Sequence, residues 1–191
     1  MLAMPVSSLG AEELALRADA LRELDPHSIV VLNEARALYE KALRRNPRLA
    51  AALMGDANAL AQLLERGSSA SQTGLLREYD EMSMRLLAVV QREARAWNIR
   101  ADALHRQEQW NAALEANTRA QTLDPTRAST WGQRAHLLVD MGQPDAALSA
   151  IHRGLSLEPP VPVIGYLLSA ECRAHLALGV MFQEVVHLSV I

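Results

Sequence analysis

The chain has 191 residues and a formal net charge of −3, with 50% hydrophobic, 21% charged and only 4% aromatic residues. Ala supplies 32 residues and Leu 31, about a third of the sequence, a bias that favours helix over sheet. Such a composition excludes collagen-like, disulfide-stapled and disordered classes, and the length is enough to bury a core.

The 19 cations are 18 Arg and the single Lys41, with no block of five or six like charges. No basic stripe suits a phosphate backbone, so neither nucleic acid nor an anionic membrane is expected as a partner. The lone Cys172 excludes an internal disulfide and fits a reducing interior. Met1 to Gly10 has neither a cationic lead-in nor an apolar run, so no signal peptide is expected. The longest uncharged stretch, Pro159 to Ala170, is too short and proline-broken to span a bilayer. A cytoplasmic location is the resulting expectation.

In chain order, Leu9–Leu24 reads as a first helix, followed by an irregular junction at Asp25-Pro26-His27-Ser28. Asn33–Pro47 reads as its return helix, carrying Ala35, Tyr39 and Ala42 on one face; 9–47 is then one hairpin. Leu53, Ala57 and Leu60, at i, i+4 and i+7, open a third helix. The polar, glycine-containing run Arg66–Thr73 is predicted as an exposed loop. A return helix over Gly74–Ala94 completes a second hairpin, 48–93.

From Ala94 the chain repeats itself. Trp97, Arg100, Ala101, Leu104, Ala113, Leu114, Leu123 and Pro125 recur 34 residues later as Trp131, Arg134, Ala135, Leu138, Ala147, Leu148, Leu157 and Pro159. Asp124 and Glu158 precede the two prolines. Trp97, Ala101 and Leu104 share one helix face, and Ala113, Leu114 and Ala120 mark a second helix after a turn near Glu108 and Gln109. The next turn is Met141-Gly142-Gln143-Pro144, with proline suited to a first helical turn. Small alanines let the two helices approach, and the tryptophans fill the wedge between them. A last pair, Ile164–Leu178 and Met181–Val190, occupies 162–191. Gly142 to Gly179 is 37 residues, so the Pro159–Pro162 stretch is read as adding three.

The two central units, 94–127 and 128–161, resemble tetratricopeptide repeats. The family has a large residue at position 4, small ones at 8, 20 and 27, and proline at 32. Here Trp97, Ala101, Ala113, Ala120 and Pro125 match in one unit, and Trp131, Ala135, Ala147, Gly154 and Pro159 in the next. The resemblance implies an all-α, right-handed α-solenoid of about five antiparallel helical hairpins, forming one superhelical domain over 1–191 with a concave face. The loose first hairpin, the long loop in the second and the ending from Ile164 through Gly179 are together similar to the C-terminal repeat regions of bacterial class III nucleotide cyclases and winged-helix regulators.

Chemistry is sparse. None of the six histidines stands i, i+3 or i+4 from another, and one cysteine cannot complete a zinc site; neither metal nor cofactor is expected. No nucleophile elbow or phosphate-cradling glycine loop occurs. Glu78 and Glu81 share a helix face but read as solvated, and Trp97 and Trp131 read as core. A binding protein rather than an enzyme is expected.

The resemblance places a binding groove on the first helix of each hairpin. Its groove positions fall on Arg95, Asn98, Asp102, His105 and Arg106, then on Ser129, Gly132, His136, Val139 and Asp140. Met54 and Asn58 are added by the preceding unit. These side chains suit a protein or peptide ligand. The lysines of a two-carboxylate clamp are missing, and Asp102 favours a ligand carrying Arg or Lys instead. The expected function is a regulatory interaction module of a bacterial signalling protein. The apolar end, Glu184 to Ile191, supports an alternative: a homodimerisation arm built on the C-terminal hairpin, or a chain cut from a longer one.

Overall fold

A computed structural model describes residues 9–66 and 69–179. The described residues are helical throughout, joined by short turns, and fall into two units, 1–91 and 92–191.

The first unit contains α1 (Ala11–Leu24), α2 (Ile29–Arg45), α3 (Ala50–Arg66) and α4 (Ser69–Val89). Local chemistry sets the ends. The Glu13 carboxylate accepts from the Gly10 N–H at 2.6 Å, opening α1. At the junction, Asp25 Oδ1 accepts from the backbone N–H groups of His27 and Ser28, and Ser28 Oγ accepts from that of Val31. Ser28 thus caps α2 and starts it at Ile29, four residues before the predicted Asn33.

The fully buried Leu14, Ala18, Leu32, Ala35, Tyr39, Leu53 and Leu60 form the core. The phenol of Tyr39 donates to Asp19 Oδ1 at 2.6 Å, so burial is compatible with its polar end. Gly55 lies against that ring: a Cβ there would sit 2.4 Å from two ring carbons. A buried ion pair crosses the unit. Arg36 on α2 donates through Nε to Asp56 Oδ1 on α3 and through Nη2 to Glu78 Oε2 on α4, both at 2.8 Å. Burial pushes the Asp56 carboxyl up, Arg36 opposes that, and Glu40 and Glu78 add to the upward push.

The loop predicted over Arg66–Thr73 is largely helix. α4 begins at Ser69, with only residues 67 and 68 of that stretch outside the described residues. Leu75 packs on Leu32, Ala59 and Leu63, and Tyr79, Met82 and Leu86 are buried farther along. Packing of this face carries the helix through Ser, Gln and Thr, whose propensities are only a weak prior. The helix ends at Val89, five residues before the predicted Ala94.

The second unit contains α5 (Ala94–Arg106), α6 (Trp110–Leu123), α7 (Ala128–Asp140), α8 (Pro144–Leu155) and α9 (Val161–Ala177). The 34-residue repeat is also a repeat of geometry. The Gln109 N–H bonds Leu104 O and the Gln143 N–H bonds Leu138 O, closing equivalent turns. Both turns need a left-handed residue: Gly142 has φ 71°, and Glu108, 34 positions earlier, has φ 59°. Glycine takes this conformation without strain, whereas glutamate is strained in it.

Ala101, Leu104, Ala113 and Ala116 pack with Leu137 of α7, flanked by the half-buried Trp97 and Trp110. Ala135, Ala147, Ile151, Leu167, Ala170 and Ala174 form a second cluster, against which Trp131 packs. The Trp131 indole also donates to Pro125 O at 3.1 Å, joining the wedge residue to the proline that ends the preceding repeat. Gly154 is small because α9 needs its space: a Cβ would meet Leu167 Cδ2 at 2.7 Å. The predicted last helix, Met181–Val190, lies outside the described residues.

Candidate functional site

In the second unit, α5 and α7 are the first helices of the hairpins α5–α6 and α7–α8, α9 packs beside α7, and polar side chains tie the three together. Asn98 Nδ2 on α5 donates to Thr130 Oγ1 on α7 at 2.7 Å, and Gln133 Nε2 donates to the Asn98 carbonyl at 2.9 Å. Asn117 Nδ2 on α6 supports the same place from behind, donating to Thr130 O and Gln133 Oε1. Asn98 Oδ1 is buried and has no donor among the described residues.

One turn along α5, Arg106 donates to Asp102 at 2.7 Å, so the acid expected to favour a cationic ligand is already countered by a cation of its own helix. His105 Nε2 bonds Asp140 Oδ2 at 2.6 Å, and its ring stands edge-on to Trp110 at 5.5 Å. Arg173 reaches from α9 to the other Asp140 oxygen and also donates through Nη1 to His136 Nδ1 at 3.1 Å. Since Nδ1 accepts, the imidazole proton sits on Nε2, which faces the Tyr166 carbonyl at 3.1 Å and the Ser169 hydroxyl at 3.2 Å. The Tyr166 ring lies on His136 with centroids 4.4 Å apart.

The charges follow from these contacts. Burial raises the Asp140 carboxyl, but the hydrogen bonds from His105 and Arg173 outweigh it and hold the group below the ordinary carboxylate value. Burial lowers the imidazole of His136, and the Arg173 charge acts in the same direction against the bond to Tyr166. A depressed histidine contributes stability that is complete above its unfolded value, about 6.5, and lost as pH falls through the folded value. Between pH 7 and pH 5, His136→Gln should lose less stability than the parent chain, since the amide accepts and donates without titrating. Urea midpoints read by tryptophan fluorescence check this, because all three tryptophans lie in the second unit. Equal loss in both proteins would refute the assignment.

Of the predicted groove residues, Asp102 pairs with Arg106 within α5, His105 meets Asp140, and Arg173 links Asp140 to His136, whereas Asn98 bonds Thr130 and Gln133 instead. Arg95 is exposed and Ser129 half-buried, and neither has a polar partner among the described residues. Met54 and Asn58 are half-buried on α3, in the first unit. The sequence reading missed the contribution of α9. Carrying Ser129, Gly132 and His136 forward by the 37-residue spacing lands on Tyr166, Ser169 and Arg173, the three residues α9 supplies. Gly132 itself admits Tyr166, whose ring carbon would lie 2.8 Å from a Cβ there. Among the described residues, no three His, Cys, Asp or Glu side chains converge to hold a metal, and no helix is long and apolar enough to cross a membrane.

No protein-family model and no curated protein sequence matches the chain. Solved structures do. A thermophilic TPR protein from Thermus thermophilus shares 20% identity with a TM-score of 0.70, over 88% of this chain and 81% of its own. MamA from Desulfovibrio magneticus shares 18% identity and scores 0.64, over 80% and 77%. YrrB, described as a TPR protein with an unusual peptide-binding site, shares 18% identity and scores 0.59, over 95% and 92%. The fold is that of tetratricopeptide repeat proteins, an all-α helical repeat of the solenoid class.

Proposed function

We propose that this chain is a protein-interaction scaffold and not an enzyme, holding a peptide segment of its partner along α5, α7 and α9. The observation that carries this reading is the cross-helix row from Asn98 through His105 and Asp140 to Arg173. Its side chains are positioned by one another, so little conformational entropy remains to be lost on binding. They offer amide, imidazole, carboxylate and guanidinium groups to an extended backbone and its side chains. The finer reading, a regulatory module of a bacterial signalling protein, rests on the similarity of the loose first hairpin and the Ile164–Gly179 ending to cyclase-linked and regulator-linked repeat regions, and a cytoplasmic location on the lone Cys172.

A double substitution tests the groove. Asn98→Ala with Asp102→Arg removes one amide and reverses one charge, and should reduce partner capture from the source cell by about 100-fold, the combined effect of two central contacts. Retained capture by a folded double variant rejects the groove.

A second reading has its own support: Leu168, Leu176 and Leu178 near the end of the described chain are 44%, 58% and 40% exposed. Self-association through that face predicts a dimer in light scattering that Leu168→Glu with Leu176→Glu disperses. Its other half, the predicted helix 181–190, lies outside the described residues.

A further inference from the structure

The first unit holds a cavity of about 330 Å³ between α2 and α4, floored by α3. Each of α2 and α4 is antiparallel to α3 through a short connection, so the two run in the same direction. On α2, Glu40 and, one turn later, Arg44 face the cavity. On α4, Glu81 and, one turn later, Arg85 do the same. Two helices of common direction carrying acid and then base at the same spacing give the cavity a negative end and a positive end. The separation is about 6 Å, four residues at 1.5 Å each.

Existing ion pairs do little to cancel these charges. Arg36 is engaged at the negative end by Asp56 and Glu78. The Glu40–Arg44 pair is long, 3.9 Å, with both side chains more than half exposed, and Glu81 makes an equally long pair with Arg77. Such pairs contribute little and exchange readily. Arg85 has no ion-pair partner among the described residues. The upward push of Glu40 and Glu78 on the buried Asp56 is consistent with excess negative potential at that end. Leu60 and Met82 line the cavity with apolar surface.

We propose that this cavity binds the carboxyl-terminal Arg or Lys residue of a partner polypeptide. The side-chain cation lies between Glu40 and Glu81, the aliphatic stem covers Leu43 and Met82, and the terminal carboxylate meets Arg44 and Arg85. Free arginine or lysine carries the same two charges, but its α-ammonium would be placed beside Arg44 and Arg85 and repelled. A peptide amide at that position carries no charge. The site is separate from the α5–α7–α9 groove and does not rest on that reading.

The test uses the full chain with carbon-13-labelled methionine methyls, the Met82 signal being assigned by its loss in Met82→Leu. The probe is the capped peptide acetyl-Ala-Gly-Ala-Gly-Arg with a free carboxylate. Met82 should shift saturably. Amidating the probe, or ending it in Gln, should each weaken binding about tenfold, as expected for one lost charge contact. Arg85→Gln should erase the penalty for amidation, and Glu81→Gln the penalty for the Gln ending; both replace exposed side chains, so folding is preserved. A silent Met82 at about 10 mM probe overturns the proposal, since that limit is weaker than any useful affinity. Equal binding of acid and amide overturns it too. Free arginine binding as tightly as the peptide also overturns it, and marks a small-molecule site instead.

Discussion

Replacing Arg36 with Met should destabilise the first unit by about 3–5 kcal/mol at pH 7, the range for removing one partner of a buried ion pair. The side chain of Asp56 is 1% exposed and that of Arg36 14%, so water cannot take over the lost bond. Glu78, about half exposed, loses less because it can turn to solvent. The pH dependence has a definite sign. Burial already raises the carboxyl of Asp56, and without the guanidinium nothing opposes it. A carboxyl raised in the folded state destabilises above its unfolded value, about 3.9, and that deficit disappears as pH falls below it. The Arg36→Met deficit should therefore shrink from pH 7 toward pH 4. Replacing both partners, Arg36→Met with Asp56→Leu, should recover most of the stability, because an apolar pair of similar volume leaves no charge stranded. Urea denaturation followed by far-ultraviolet circular dichroism reads all three quantities. A single variant within about 1 kcal/mol of the parent would show that the pair is not effectively buried.

Gly55→Val should cost about 3 kcal/mol or more, enough to threaten the first unit as a whole. A Cβ at this position would lie 2.4 Å from two ring carbons of Tyr39 and 2.6 Å from its oxygen. That ring has no freedom to retreat, being fully buried and bonded to Asp19. Gly165 on α9 provides the control, with open space where a Cβ would go. Gly165→Ala should be neutral or stabilise by up to about 1 kcal/mol, since alanine is the better helix former. Thermal melts of the two variants should move in opposite directions. A Gly55→Val melt matching the parent would contradict the tight packing of α2 on α3.

Much of the architecture was legible in residue order because the repeat is enforced by local sterics. Trp97 and Trp131, the paired alanines and the turns at Glu108 and Gly142 each occupy a position that only a large, a small or a left-handed residue fills well. These requirements recur every 34 residues, so spacing alone revealed the hairpins. Part of the polar row was named in advance only because the repeat resemblance supplies positions: Asn98, His105, His136 and Asp140 are where it places side chains on the first helices.

The remainder depended on side chains meeting across helices. Nothing near Arg36 in the chain names Asp56, 20 residues on, or Glu78, 42 residues on, and the ion pair exists only because three helices converge there. The helical start of α4 is similar: Ser, Gln and Thr suggest a loop until Leu75 and Tyr79 find a buried face to pack against. Arg173 meets His136 because the extra three residues before α9 preserve its register with that histidine. Residue order thus determined the fold class and the helix pairing, both products of short-range periodicity. The tertiary structure alone decided which charges are paired and where a cavity opens, because these depend on distances between residues far apart in the chain.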